Sequence, residues 1–226
     1  MRRAGLIVGV AVLVLGLVPS AGADGGGGGG RFVFPADSSP RGLTYPQWHG
    51  LYQIWLNEIP ASENPLLDPL SPRNCEPMRG GDVVFLGSFG ADCSVPAGTP
   101  LVVGTASWEC STAEGLGETF RQLRRCANEN FDRDFSPEIF YQKVLIDGVH
   151  LKRSRRWVSV TPGEIIDFPE DNIWDAEPGP SRSVSKGFLF VLRGMSPGEH
   201  EVFAKVLFEG EHVFDVTWTL HVEAAA

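Results

Sequence analysis

The chain has 226 residues, of which 28 are acidic and 19 basic, and its net charge at pH 7 is −9 with histidine neutral. This acidic balance argues against nucleic acid as a partner, because phosphate binding requires a basic face. It argues equally against adsorption to anionic lipid.

The first 23 residues have the features of a secretory signal peptide. Arg2 and Arg3 precede an apolar run from Leu6 to Val18, and residues 21–23 form an A-x-A cleavage site. The apolar run is shorter than the about 20 residues of a membrane span. We therefore expect a secreted protein, extracellular or periplasmic, with no stable membrane insertion after cleavage. Cleavage leaves 17 basic and 28 acidic residues, a net charge of −11.

Residues 24–42 are rich in glycine and proline and are predicted to be a disordered tether. Residues 43–226 remain, which is enough for a single domain with its own core.

The segment YPQWHGLYQIWL predicts an amphipathic first helix. Thr44 and Gln47 form a capping-box pattern, and Pro60 ends the helix. An apolar stripe follows the helical period and consists of Trp48, Leu51, Tyr52, Trp55 and Leu56. Trp48 and Trp55 are therefore predicted to be core residues. His49 lies at the edge of this stripe and is predicted to be partly exposed.

Residues 60–82 contain five prolines and predict a long loop. Strands are predicted at 82–87 and 99–108, with a turn at 95–98 between them. Ser111 and Glu114 form a second capping-box pattern, and a short helical stripe through residue 127 is expected to end before Asn128.

Four cysteines in an exported chain predict two disulfides: Cys75, Cys93, Cys110 and Cys126. A zinc site is the alternative, but the chain has no C-x-x-C spacing to support it. One unbroken helix from 111 to 126 would separate its ends by about 24 Å. A pairing of Cys110 with Cys126 therefore requires residues 110–117 to fold back.

The second half of the chain alternates with a period of two residues. Asp147-Gly148 predicts a hairpin turn between the strands 143–146 and 149–152. Further strands are predicted at 157–160 and 187–192, and a final hairpin turns at Gly210. The predicted fold is mainly β, an antiparallel β-sandwich of immunoglobulin-like or jelly-roll-like type with two short flanking helices.

The loop DFPEDNIWD is the first candidate binding site. Four carboxylates make it a weak calcium candidate: Asp167, Glu170, Asp171 and Asp175. Alternatively, Asp171, Asn172 and Trp174 would form a lip that binds a glycan through stacking and hydroxyl contacts.

The run KRSRRW is the second candidate, and its arginines would contact an anionic polymer or an envelope protein: Arg153, Arg155 and Arg156. The alternative is a solvated strand edge whose charges discourage pairing with another sheet.

Motifs spread over residues 44–222 resemble a family of uncharacterised secreted bacterial proteins. They are "GDVVFLGSFG…CSVPAGTPLVV", "ECSTAEG…LRRCA", "VLIDGVHL…R", "FPEDN" and "SPGEHEVFAKVLFEG…VTWTLHV". The resemblance implies a disulfide between Cys75 and Cys93 and another between Cys110 and Cys126. It implies no activity and no catalytic residues.

The predicted function is a binding or cell-envelope interaction module without a cofactor. The chain lacks the G-x-S-x-G, H-E-x-x-H, P-loop and G-x-G-x-x-G signatures. The alternative is a secreted hydrolase acting on polysaccharide or ester, which would need two carboxylates on either side of a groove. Asp171 with Glu170 or Asp175 is the clustered pair available for that chemistry.

Overall fold

A computed structural model describes residues 31–88, 90–209 and 211–224. The predicted signal peptide and the glycines of the predicted tether lie outside these residues. The helices are α1 (Tyr45–Glu58) and α2 (Phe120–Asp134). The strands are β1 (Cys75–Met78), β2 (Val83–Leu86), β3 (Ala91–Pro96), β4 (Leu101–Ser111), β5 (Phe140–Ile146), β6 (Val149–His150), β7 (Val158–Val160), β8 (Glu164–Phe168), β9 (Gly179–Leu192), β10 (Gly198–Phe208) and β11 (Glu211–Glu223).

The strands form two sheets, and the predicted mainly β sandwich with flanking helices is confirmed. The first sheet has the order β1-β2-β4-β9-β7, and β8 also pairs with β9. The second sheet has the order β3-β11-β10-β5-β6. Most neighbours are antiparallel, but β2 runs parallel to β4 and β3 runs parallel to β11.

The two faces of the first sheet are covered by different elements. Helix α1 covers one face, where the ring of Tyr52 occupies the space beside Gly104 of β4. On the opposite face, Phe188 of β9 contacts Phe131 of α2 and Phe140 of β5, with both ring centroids 5.5 Å away. The core therefore includes both faces of this sheet.

Helix α1 begins and packs largely as its sequence predicts. The capping box between Thr44 and Gln47 is present. Trp48 and Trp55 are core residues, with 0% and 5% of their surfaces exposed. The prediction for His49 is wrong, because this residue is 1% exposed. Helix α1 contacts β4, β7, β8 and β9 together, so its buried arc is wider than the apolar stripe.

Helix α2 starts later and ends later than predicted. Its capping box is formed by Thr119 and Gln122. Ser111 and Glu114 do form their mutual hydrogen bonds, but they close a turn after β4 rather than a helix start. The helix continues past residue 128 because Phe131 extends its buried face.

Both disulfides implied by the family resemblance are confirmed. Cys75 pairs with Cys93 at a Cα–Cα distance of 5.8 Å, and Cys110 pairs with Cys126 at 6.2 Å. The second pair is within reach because α2 begins only at Phe120, so the preceding residues return the chain toward β4.

Several strands lie where the sequence predicted loops. Strands β1, β3, β8 and the first half of β9 were not predicted, and the end of β3 lies in the segment predicted as a turn. The hairpins β5–β6 and β10–β11 are confirmed. Val33 is fully buried and bridges Leu192, so packed structure begins within the predicted tether.

Candidate functional site

The acidic loop at residues 167–175 is attached to the segment that follows α1. The Asp171 carboxylate accepts a hydrogen bond from the Ser62 amide at 3.0 Å, and its main-chain oxygen accepts one from the Ala61 amide at 2.6 Å. The indole N–H of Trp174 donates to the side-chain oxygen of the buried Asn57. These contacts give Asp171 and Trp174 structural partners within the protein.

Asn172 is similarly engaged within its own loop. Its side-chain oxygen accepts hydrogen bonds from the amides of Trp174 and Ala176 at 3.1 and 3.0 Å. Its side-chain nitrogen donates to the carbonyls of Pro169 and Ala176. The predicted binding lip therefore consists of side chains that hold the loop in shape, and its role toward a glycan stays a prediction.

The four carboxylates of this loop do not converge on one point. Across the described ranges, no group of three or more His, Cys, Asp or Glu side chains is arranged to hold a metal ion. Asp171 is directed toward the Ser62 amide, and Asp175 adopts a left-handed conformation with φ 52°. Calcium binding by Asp167, Glu170, Asp171 and Asp175 stays a prediction.

The basic run forms a short turn that joins the two sheets at one edge of the sandwich. It follows β6 of the second sheet and leads into β7 of the first. Trp157 ends the turn as a buried anchor, and its indole donates to the Phe34 carbonyl at 2.9 Å. Arg155 donates to the Phe135 carbonyl at the end of α2, and its guanidinium lies 5.8 Å from the centroid of Phe188.

The remaining basic side chains of this turn point outward. Lys152, Arg153 and Arg156 are exposed. In the described part of the chain, the recorded ion pairs include none of these three residues. We call Lys152, Arg153 and Arg156 the basic turn surface.

A polar stripe that the sequence analysis missed runs along the buried side of α1. His49, Gln53 and Asn57 are spaced by four residues and are all buried. Asn57 donates to the Gln53 side-chain oxygen at 3.2 Å, and the Gln53 amide nitrogen lies 3.3 Å from His49 Nε2. His49 Nδ1 lies 3.1 Å from the Ser159 hydroxyl on β7.

The hydrogen bonds define the state of His49. Because the Gln53 amide group donates to Nε2, that nitrogen accepts, and Nδ1 carries the hydrogen that faces Ser159. Burial lowers the pKa of His49 to about 4. The imidazole is thus a neutral structural group near pH 7. Its spacing to Gln53 and Asn57 was the sequence signal for this stripe.

Comparisons with known proteins found no match: no family model, no curated protein and no solved structure corresponds to this chain. The resemblance to secreted bacterial proteins therefore stays a prediction. Among the described residues, no helix is both long and apolar enough to cross a membrane.

Proposed function

We propose that this protein is a secreted binding module of the cell envelope, and that its basic turn surface binds an anionic envelope glycan. The observation that carries the proposal is the combination of three exposed cations with a turn that is held at its end by Trp157 and at its middle by Arg155. The ligand chemistry is a repeated carboxylate or phosphodiester, because both present oxygens that guanidinium groups bind well.

The clamping of the turn favours binding, because little ordering remains to be done when a ligand arrives. Trp157 fixes one end in the core, and Arg155 ties the middle to the end of α2. Preorganised surfaces lose less conformational entropy on association than flexible ones. The neighbouring arginines are thus held close together before the ligand binds.

The backbone of Arg153 gives independent support. This residue adopts a left-handed conformation with φ 59° and ψ 44°, which costs a residue with a Cβ atom about 1 kcal/mol. Glycine would adopt the same conformation without that cost. A strained position that nevertheless carries an exposed guanidinium is the pattern expected where the side chain has a binding role.

The charge of the rest of the molecule makes this surface distinctive. The exported chain is expected to carry a net charge of −11, so most of its surface repels polyanions. A local cationic surface then sets which face approaches the polymer. Such an interaction weakens as salt is added, because exposed charges are screened beyond about 8 Å at physiological ionic strength.

We expect R153Q/R156Q to lower the affinity for an anionic polymer by about tenfold or more, since the loss of about 1.4 kcal/mol of binding free energy is a factor of ten. The measurement is binding of the purified, disulfide-bonded protein to immobilised polygalacturonate and to a polyol-phosphate teichoic acid, at low and physiological salt. The two polymers distinguish carboxylate from phosphodiester recognition. Neutral dextran reports binding that does not depend on charge.

The matched control is R121Q/R125Q, which removes the same charge from exposed positions on α2. This control should keep its affinity within about twofold if the contact is local rather than a general charge effect. Equal losses in the two double variants, or no binding of the unmodified protein to either polymer, would contradict the proposal.

A further inference from the structure

Glu109 is a buried carboxyl group on the face of β4 that also carries Ser111. It is 8% exposed, and one of its oxygens accepts a hydrogen bond from the Ser183 hydroxyl of β9. Its other oxygen, Oε2, is buried and has no partner that donates a hydrogen bond to it within the described residues. A carboxylate in that position would bury an unsatisfied charge, which is strongly unfavourable.

A second carboxyl group resolves this problem. The Glu114 carboxyl is bonded to the Ser111 hydroxyl, and Ser111 lies two residues from Glu109 on the same face of β4, opposite Ser183. Hydrogen bonding between the carboxyl groups of Glu109 and Glu114 raises the pKa of Glu109. Two carboxyl groups can form such a bond only if one of them is protonated, because an ionised carboxylate has no hydrogen to donate. A proton on Glu109 therefore supplies the missing donor, and the partly buried Glu114 can remain ionised.

Glu114 belongs to a tight turn that follows β4. The Ser111 hydroxyl donates to Glu114 Oε2 at 2.8 Å and accepts from the Glu114 amide at 3.3 Å. The amides of Gly115 and Leu116 donate to the carbonyls of Thr112 and Ser111, both at 3.1 Å. Gly115 has φ +73°, a conformation that glycine accommodates readily.

We propose that Glu109 and Glu114 share a single proton, and that this proton latches the turn at residues 111–118 onto the first sheet. Loss of the proton places two negative charges in contact and removes the hydrogen that Glu109 donates to Glu114. The turn then separates from the sheet. The disulfide between Cys110 and Cys126 keeps both ends of the segment attached, so the opening stays local.

The electrostatic environment favours the shared proton. Burial raises the pKa of Glu109 well above its usual range, and the hydrogen bond and negative charge of Glu114 raise it further. The Ser183 hydroxyl acts in the opposite direction. Because the closed state holds a proton that the open state releases, the latch is strongest at acidic pH. It weakens as pH rises through the raised pKa.

Other charged and titratable residues belong to the same turn and to the elements around it. The Arg182 carbonyl on β9 accepts a hydrogen bond from the Thr112 amide, and the Arg182 amide donates to the Thr112 hydroxyl. Glu177 donates its amide to the Ala113 carbonyl, and Glu118 follows on the same turn.

Glu164 of β8 lies opposite Ser183 in the strand pairing, and burial raises its pKa. On α1, Tyr52 and Glu58 both bond to this sheet. His49 also faces the sheet, and burial lowers its pKa to about 4. It is therefore neutral where the latch titrates.

The turn also forms part of the molecular surface. It borders a shallow depression lined by Thr112, Gly115, Gly117, Glu118 and Arg182. Opening of the latch therefore changes the shape of this depression and exposes Ser111 and Ser183. The shared proton makes this surface dependent on pH, and it does so independently of the binding role of the basic turn surface.

Hydrogen exchange of the amides at residues 112–117, corrected for the intrinsic effect of pH, tests the latch in the disulfide-bonded protein. In the unmodified protein, the equilibrium constant for opening of the turn should increase by up to about tenfold for each pH unit above the ordinary pKa range of a glutamate. E109Q keeps a donor toward Glu114 but cannot release a proton. In E109Q, the protection of these amides against hydrogen exchange should therefore vary by less than about twofold between about pH 5 and about pH 8.

The matched control is E129Q, which removes an exposed carboxylate on α2 and should keep the pH dependence of the unmodified protein. If E109Q fails to fold, E114Q tests the same bond, because its amide can donate to an ionised Glu109. A pH-independent turn in the unmodified protein, or an undiminished pH dependence in E109Q or E114Q, would overturn the proposal.

Discussion

Trp48→Ala is expected to lower the free energy of unfolding by about 3–5 kcal/mol, the range for replacing a buried tryptophan by alanine. Trp48 is 0% exposed, and its ring lies 6.4 Å from the ring of Phe85 on β2 in an edge-to-face arrangement. Its indole N–H donates to the Pro40 carbonyl at 2.9 Å. The substitution removes apolar contact with the sheet and also the attachment of the N-terminal segment.

Urea denaturation followed by circular dichroism measures this change. Trp48→Phe is the matched control, because it keeps much of the apolar volume but loses the N–H donor. Its destabilisation should be smaller, about 1–2 kcal/mol. A loss below about 1 kcal/mol for Trp48→Ala would show that this ring is not part of the core, and would return it to consideration as a ligand contact.

Elements with a regular hydrophobic period or a characteristic turn sequence could be predicted from the sequence. The helical stripe of α1 identified its tryptophans as core, and Asp147-Gly148 identified the hairpin, where both residues have positive φ. The alternation near the end of the chain identified β10 and β11. In each case the signal is local, so neighbouring residues are sufficient to reveal it.

Elements that depend on distant partners could not be predicted in this way. Strand β1 has the sequence CEPM and β3 has ADCSVP, which resemble loop sequences. Strand β3 is held by parallel pairing with β11 and by the disulfide from Cys93. Strand β8 pairs with a part of β9 that begins in a Gly-Pro segment. Such strands exist because of their partners, not because of their own propensity.

The same distinction applies to the candidate sites. The basic turn surface was visible as a run of like charges, because its members are adjacent in sequence. The pair of Glu109 and Glu114 was hidden by the strand boundary between them, and Ser183 lies 74 residues further along the chain. The acidic loop was conspicuous by composition, yet Asn172 and Trp174 bond to the protein itself.

His49 is expected to make the protein sensitive to acid. Its pKa is lowered to about 4, chiefly by burial, from an ordinary value of 6.5. Between these pH values the unfolded chain binds a proton that the folded protein does not, so stability falls as pH decreases. A difference of this size corresponds to about 3 kcal/mol at most, lost as pH falls toward 4.

Glu109 acts with the opposite sign over an overlapping range. Because its pKa is raised, the folded protein keeps a proton that the unfolded chain releases above pH 4.5, and stability falls as pH increases. The two contributions therefore oppose one another in the range that begins at about pH 4.5, the ordinary value for a glutamate. The stability of the unmodified protein should vary less in this window than either group alone would require.

Single substitutions separate the two effects. H49N keeps a donor toward Ser159 but does not titrate, so the stability difference between the unmodified protein and H49N should grow with pH by up to about 3 kcal/mol from pH 4 to 6.5. The stability difference between the unmodified protein and E109Q should shrink as pH rises above the ordinary pKa range of a glutamate. Urea denaturation at a series of pH values gives both curves.

His200 supplies a contrasting control. Burial acts to lower its pKa, but hydrogen bonds to Asp147 and to the Ser196 carbonyl, together with the Asp147 charge, raise it overall. Its contribution to stability is thus fully present below its ordinary pKa and is lost as pH rises. The difference curve for H200N should slope opposite to that for H49N. Parallel curves would mean that His49 is not held neutral, and that protonation of the buried stripe on α1 is tolerated.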